Sequence, residues 1–192
     1  MFRVFQIGFH ICGTRSLCQF FNENNFQTFH HYNGKLSEDL FKNLADGKTH
    51  FSPDLEGPFK GKIGAFYSDM ENFVENRDGK EMNKQEGYKL FKEIHQGYPD
   101  ALFILNVRND WTNSKLKKKG FYKYYTDLNE VEKRSLLDNA WTKHLQNVRS
   151  YFSGRKEFLE FNIQDDKITK IIEWLQSFGV EIKSREFRKI RG

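Results

Sequence analysis

The stretch Gly8-Phe9-His10-Ile11-Cys12-Gly13-Thr14-Arg15-Ser16 has the residue types and spacing of an anion-binding loop. Its two glycines stand at the separation of a phosphate-binding loop. A strand-like segment, Phe2 to Ile7 (FRVFQI), precedes it, and a segment with Leu17, Phe20 and Phe21 at helical spacing follows. In that context backbone N–H groups and a helix amino terminus are aimed at an anion. Nucleotide hydrolysis wants Gly-Lys-Ser/Thr, the lysine reaching the terminal phosphates and the hydroxyl holding magnesium, but Thr14 occupies the lysine position. The loop is therefore expected to bind an anion without hydrolysing ATP or GTP, the plainer alternative being a tight turn. Cys12 sits where a helix dipole acidifies a thiol, yet no base adjoins it in sequence, and a small loop residue is the simpler reading.

Elsewhere the charged features are local. Thirty-one Lys and Arg, against 26 Asp and Glu, leave a formal net charge of +5, concentrated in Lys115, Lys117, Lys118, Lys119 and Lys123 and in the tail Lys183 to Gly192. The lysine run either draws an anionic ligand or forms a solvated helix face. With one aromatic, Phe187, the tail falls short of the patch-plus-aromatic pattern of single-strand binders, so nucleic acid is not an expected partner. Trp111, Trp141 and Trp174 read as core or rim aromatics, and His144, three residues after Trp141, as a hydrogen-bonded packing residue. Two cysteines, Cys12 and Cys18, make neither a disulfide framework nor a zinc site, and no metal is expected.

A scaffold for these groups is written in the hydrophobic pattern. The 192 residues suit one domain, and 20 Phe, 8 Tyr and 3 Trp supply its core. No run reaches the length of a membrane span, and the amino terminus is interrupted by Arg3, Gln6 and His10, so a soluble, cytoplasmic protein is expected. Lys35 to Asp46 predicts an amphipathic helix stopped by Gly47, and Gln85 to Gln96 a helix closed by Gly97 and Pro99. Further helices are predicted over Glu130 to Phe152 and Asp166 to Phe178. Strands are predicted over Lys62 to Tyr67 (KIGAFY), Ala101 to Val107 (ALFILNV) and Phe158 to Ile163 (FLEFNI). ALFILNV is the most continuous apolar run and is expected at the centre of a parallel sheet. Ser52 to Gly61 and Asn72 to Lys84 read as loops, and the basic tail as frayed. Strands alternating with helices of these lengths predict a doubly wound α/β fold of about four to five parallel strands with right-handed crossovers.

Gly8 to Leu17 also resembles the 5′-phosphosulfate-binding loop of the sulfotransferases, Gly-x-x-Lys-x-Gly-Thr-x-Ser-Leu. Ser68-Asp69-Met70-Glu71, the block from Tyr98-Pro99 through Phe103-Ile104-Leu105-Asn106-Val107-Arg108, and Trp111 and Ser114 resemble successive landmarks of a small bacterial-type group of that family. So do Trp141, His144, Val148, Tyr151-Phe152 and Phe161-Asn162-Ile163. The resemblance implies a P-loop NTPase-like α/β domain over residues 1–182 with a basic tail over 183–192. It implies 3′-phosphoadenosine 5′-phosphosulfate (PAPS) as co-substrate, transfer of its sulfuryl group to a hydroxyl or amine of a small-molecule or carbohydrate acceptor, and no metal. By the same resemblance the loop residues Ile11, Cys12, Gly13, Thr14, Arg15 and Ser16 hold the 5′-phosphate, and Arg108 and Ser114 the 3′-phosphate. A guanidinium fork and a hydroxyl suit that task. Ile11 stands where the family has a lysine on the bridging oxygen, which points to a second possibility, a relative that binds the nucleotide or an anionic partner without turnover. His10 or Arg15 is the candidate substitute for that lysine.

Transfer to a hydroxyl needs a base. Asp69 and Glu71 follow the KIGAFY strand, at the carboxyl edge where parallel sheets gather ligands, and Asp69 is the first choice. The bland alternative makes Asp69 a turn cap and Glu71 a solvated carboxylate. His31 and its neighbour His30 come next, His31 lying in a His-Tyr-Asn-Gly stretch that resembles a family block.

Overall fold

The computed structural model describes residues 1–48, 50–75, 82–116 and 128–188. In chain order the elements are β1 (Phe2–Gln6), α1 (Thr14–Glu23), β2 (Phe26–His30), α2 (Lys35–Ala45), α3 (Pro53–Glu56), β3 (Gly64–Ser68), β4 (Glu71–Glu75), β5 (Met82–Glu86), α4 (Phe91–Gly97), β6 (Leu102–Val107), α5 (Trp111–Leu116), α6 (Glu130–Tyr151), β7 (Phe158–Asn162) and α7 (Thr169–Ser177). Single 3₁₀ turns cover Tyr32–Gly34 and Gly87–Leu90.

Aromatic and β-branched runs too short for a helix pair as strands, and here five of them form one all-parallel sheet in the order β2-β3-β1-β6-β7. Side-chain alternation divides the core into two layers, because successive residues of a strand face opposite sides. Phe5, Tyr67, Phe103 and Leu105 face Leu36, Leu40, Ile94, Leu145 and Val148 of α2, α4 and α6. Val4, Phe66, Leu102 and Ile104 face Leu17, Phe20, Phe21, Ile171, Ile172 and Leu175 of α1 and α7. The α/β class and the helices on both faces are as the periodicity predicts. β6 is buried at all six positions, as its unbroken apolar run requires, but the middle strand is β1, and β6 lies beside it.

Five further segments differ from expectation. Phe26–His30 (FQTFH) is an edge strand whose polar residues hide it from a search for apolar runs. The expected loop Asn72 to Lys84 instead contributes most of an antiparallel pair, β4 with β5, registering Glu71 against Glu86; residues 76–81 lie outside the described residues. That pairing takes Gln85 and Glu86 into β5, so the predicted helix begins only with the turn at Gly87. The expected loop Ser52 to Gly61 carries the short α3, with Pro53 at its start. In the segment expected to fray, the N–H groups of Lys183 and Ser184 both donate to Asn24 Oδ1 (2.8 Å each), and the Phe187 ring lies 6.4 Å from that of Phe20. Among the described residues no helix is long and apolar enough to cross a membrane.

Parallel order places both candidate anion contacts at one point. The chain leaves β1 through α1 toward β2, on one side of the sheet, and leaves β6 toward β7, on the other. Adjacent strands with diverging exits open a crevice at their carboxyl ends, where ligands of α/β sheets bind. The Gly8 loop follows β1 and Arg108 follows β6, so both border it.

Candidate functional site

The loop between β1 and α1 is shaped by two glycines for two reasons. A Cβ on Gly8 would stand 2.2 Å from the carbonyl oxygen of Asn106, so glycine alone permits this approach to β6. Gly13 caps α1 with φ 85°, a left-handed conformation that glycine adopts without penalty, and its Cβ would meet Ile163 Cγ1 at 2.6 Å. Between them Ile11 is held at φ 60°, a strained conformation for a β-branched residue.

Five carbonyls of the segment are bonded by five side chains. His144 Nε2 donates to Ile7 O (2.7 Å), Gln6 Nε2 to Gly8 O, Trp111 Nε1 to His10 O (3.1 Å), Arg108 Nη1 to Ile11 O (3.3 Å) and Asn106 Nδ2 to Cys12 O (2.8 Å). In a trans peptide the C=O of one residue and the N–H of the next point in opposite directions. Tying those carbonyls into the protein therefore turns the N–H groups of Gly8, Phe9, Ile11, Cys12 and Gly13 away from their supports. The first helical bond of α1 runs from Leu17 N to Gly13 O (3.0 Å), so the helix start follows the loop directly. Gly13 is half-buried and Arg15 exposed, while Cys12, Thr14 and Ser16 are buried. The arrangement suits an anion: backbone donors at the positive end of a ten-residue helix.

The side chain of Phe9 anchors the loop. Its ring stacks on Trp111 (4.7 Å between centroids) and His144 (5.0 Å), meets Tyr88 edge-on (4.8 Å) and touches Trp141 (5.1 Å), while the two tryptophans stack on each other at 5.0 Å. Burial pushes the His144 imidazole down to about 4, so the ring is neutral and its Nε2 carries the proton given to Ile7 O. His144 is thus a packing residue, as its place beside Trp141 suggests. Burial also raises the thiols of Cys12 and Cys18, which keeps both unreactive.

Arg108 lies against the loop, and its Nε also donates to Asp110 Oδ1 (2.5 Å). Asp110 was not legible as a partner; a carboxylate two residues past a strand-end arginine is the signal that finds it. Gln6 and Asn106 were missed as supports too, although a fully buried amide at the carboxyl end of an apolar strand marks each. Ser114 lies on α5, but its side chain is outside the described residues, as are Lys117, Lys118, Lys119 and Lys123 of the lysine run.

The candidate acids and imidazoles assemble in pairs beside the loop. His10 Nδ1 lies 2.7 Å from Glu71 Oε1. Glu71 is 3% exposed, which overturns the reading of it as a solvated carboxylate. Asp69 Oδ2 lies 3.7 Å from His30 Nε2, whose Nδ1 meets Ser68 Oγ at 3.1 Å; burial lowers the His30 pKa. The Asp69 N–H donates to Gln6 Oε1 (2.9 Å), linking that turn to the foot of the loop. His31 follows His30 and belongs to neither pair; its N–H donates to Ser68 O (3.0 Å). Positive φ at Ile11 in the β1–α1 loop, at His31, Tyr32 and Asn33 directly after β2, and at Asp69 directly after β3 places strained residues beyond three strand ends, and each such residue costs about 1–3 kcal/mol. Among the described residues no group of three or more His, Cys, Asp and Glu is arranged to hold a metal ion. Neither a protein-family model nor a curated protein matches this chain.

Proposed function

We propose that the protein is a PAPS-dependent sulfotransferase, seating the 5′-phosphosulfate over Gly8 to Ser16 and delivering the sulfuryl group to a hydroxyl or amine of a small-molecule or carbohydrate acceptor. The observation that carries this reading is the set of five carbonyls from Ile7 to Cys12 bonded by side chains, which turns the N–H group of each following residue away from its support. A P-loop-like relationship draws support from the parallel sheet and from the loop's place at the crevice between β1 and β6. Gly13, Thr14, Arg15 and Ser16 hold the 5′-phosphate through the helix start. Arg108, next to Ile11, supplies its remaining guanidinium N–H groups to the 3′-phosphate, and Ser114 is the candidate hydroxyl beside it. Asp69, with His30 alongside, takes the acceptor's proton at the carboxyl edge of the sheet.

A second reading, nucleotide or anion binding without turnover, is favoured by one feature: Ile11 packs against the core where a lysine would be expected to reach the bridging oxygen. Calorimetry with adenosine 3′,5′-bisphosphate in EDTA tests what both readings share, and saturable binding is expected. No heat from the bisphosphate, with magnesium-dependent ATP binding in its place, would reject both. Transfer of labelled sulfate from PAPS to a panel of sugars, phenols and amines then separates them, with transfer to at least one acceptor expected.

A further inference from the structure

We propose that a cavity at the amino-terminal edge of the sheet, opposite the Gly8 loop, binds a small organic anion with an apolar body and a carboxylate or sulfonate head. The site is independent of the reading given above for the loop. β6 begins at Leu102 and β7 at Phe158, and the segments that lead into them, Pro99-Asp100 and Arg155 to Glu157, frame an opening of about 840 Å³. His95 of α4 and Tyr151 of α6 border it on one face of the sheet, and Phe178, at the end of α7, bounds it from the other. That volume lies within the roughly 300–1,000 Å³ of small-molecule sites. Arg108 stands just past the far end of β6, ~20 Å of strand away from Leu102, so the cavity and the loop are separate places.

The floor of the cavity is fixed and uncharged. His95 packs edge-on against Phe103 (5.3 Å between centroids), and its Nδ1 meets the Tyr151 hydroxyl at 3.0 Å. Burial lowers its pKa, so the ring is neutral at pH 7. Leu102, Pro99 and Phe178 add apolar wall. The mouth is cationic, and two of its charges are held in place by an aromatic ring. Lys92 Nζ lies over the Tyr151 ring at 5.7 Å and Arg155 Cζ at 5.4 Å, and Arg155 Nε also donates to Tyr151 O (3.3 Å). Lys156 is the third cation. Two carboxylates stand against them. Glu157 accepts from Arg155 Nη1 (3.4 Å) and lies 3.8 Å from His95 Nε2, so its charge is already answered. Asp100, Lys92 and Lys156 have no ion pair among the described residues. Two lysines therefore outweigh one aspartate at the mouth of an apolar-walled cavity. An anionic head placed there meets both ammonium groups while its body covers the wall. A cation would be repelled by them, and a neutral ligand would leave them unanswered.

The probe is 2-naphthoate, titrated into the whole chain by calorimetry, with the neutral 2-naphthalenemethanol and the cationic 2-naphthylmethylammonium as comparisons. Saturable binding of one naphthoate is expected, with the alcohol and the ammonium each weaker by about tenfold or more. Lys92→Glu and Lys156→Glu, both at exposed positions, should each weaken naphthoate binding about five- to tenfold, the range for reversing one partly screened charge. Asp100→Asn should tighten it about two- to fivefold. Unchanged melting temperatures check that the variants are folded. Proton–nitrogen NMR locates the probe. Trp174 Nε1 donates to Lys156 O (2.9 Å) and its ring lies 5.8 Å from that of Phe178, so its indole signal should shift with naphthoate. The indole signals of Trp111 and Trp141, which touch Phe9 of the loop, should stay in place. The proposal is overturned if naphthoate binding does not saturate, if the alcohol or the ammonium binds as tightly, or if neither lysine variant weakens binding. It is equally overturned if the Trp111 and Trp141 signals move while that of Trp174 does not.

Discussion

At the scale of single residues, the site depends on two buried amides in otherwise apolar strands. Gln6 and Asn106 are fully buried and bonded to each other. Their other atoms reach Gly8 O, the Asp69 N–H and Cys12 O, so one pair joins the ends of β1, β3 and β6 to the loop. A buried polar group stripped of its partner costs about 1–3 kcal/mol. Asn106→Leu removes the donor to Cys12 O and the acceptor of Gln6 Nε2 while nearly preserving volume. It is expected to lower stability by roughly 2–4 kcal/mol in urea unfolding and to weaken adenosine 3′,5′-bisphosphate binding, since the Cys12–Gly13 peptide is then free to turn. An unchanged dissociation constant would show that the peptide's orientation does not depend on Asn106.

At the scale of elements, α6 carries the socket that holds Phe9, and its start is well capped. Asn129 Oδ1 accepts from Val131 N (2.9 Å) and Glu132 N (3.0 Å), and Glu132 Oε2 accepts from Asn129 N (2.8 Å), a reciprocal capping box. Asn129→Ala should cost about 1 kcal/mol and lower the melting temperature by about 2–4 °C in calorimetry. His144 and Trp141 lie several turns away, so bisphosphate affinity should hold. The helices and interior strands were legible because their apolar periodicity is local. β2 was not, since an edge strand with polar members has no such run, nor was the β4–β5 pair, whose ladder depends on partners rather than propensity. The glycine loop was legible from its spacing. The contact between His10 and Glu71 was not, because 60 intervening positions separate two residues that only the sheet brings together. Arg108 reads in the sequence as a lone cation, yet the turn after β6 gives it Asp110 as a partner.

At the scale of the whole molecule, the imidazoles folded into the interior set how stability responds to acid. His144 is pushed down to about 4 by burial, against an ordinary value of 6.5, and burial lowers His30 and His95 as well. Between those two values the unfolded chain binds a proton that the folded protein refuses, so stability falls as pH drops from about 6.5 to about 4. His144 alone accounts for roughly 3 kcal/mol of that loss. Urea midpoints between neutral pH and pH 4 should follow this slope, and His144→Gln, whose amide still donates to Ile7 O, should flatten it. A slope unaffected by the substitution would assign the acid sensitivity to other groups.

Phe9 rests against Trp111 and Trp141, while Trp174 donates to Lys156 O on the opposite face of the sheet. Two of the three indoles are therefore native fluorophores coupled to the loop between β1 and α1, and the third is a built-in reference. Occupancy of the loop should register as a change in intrinsic emission that titrates with the bisphosphate, and Trp174→Phe should leave that signal in place while Trp141→Phe diminishes it.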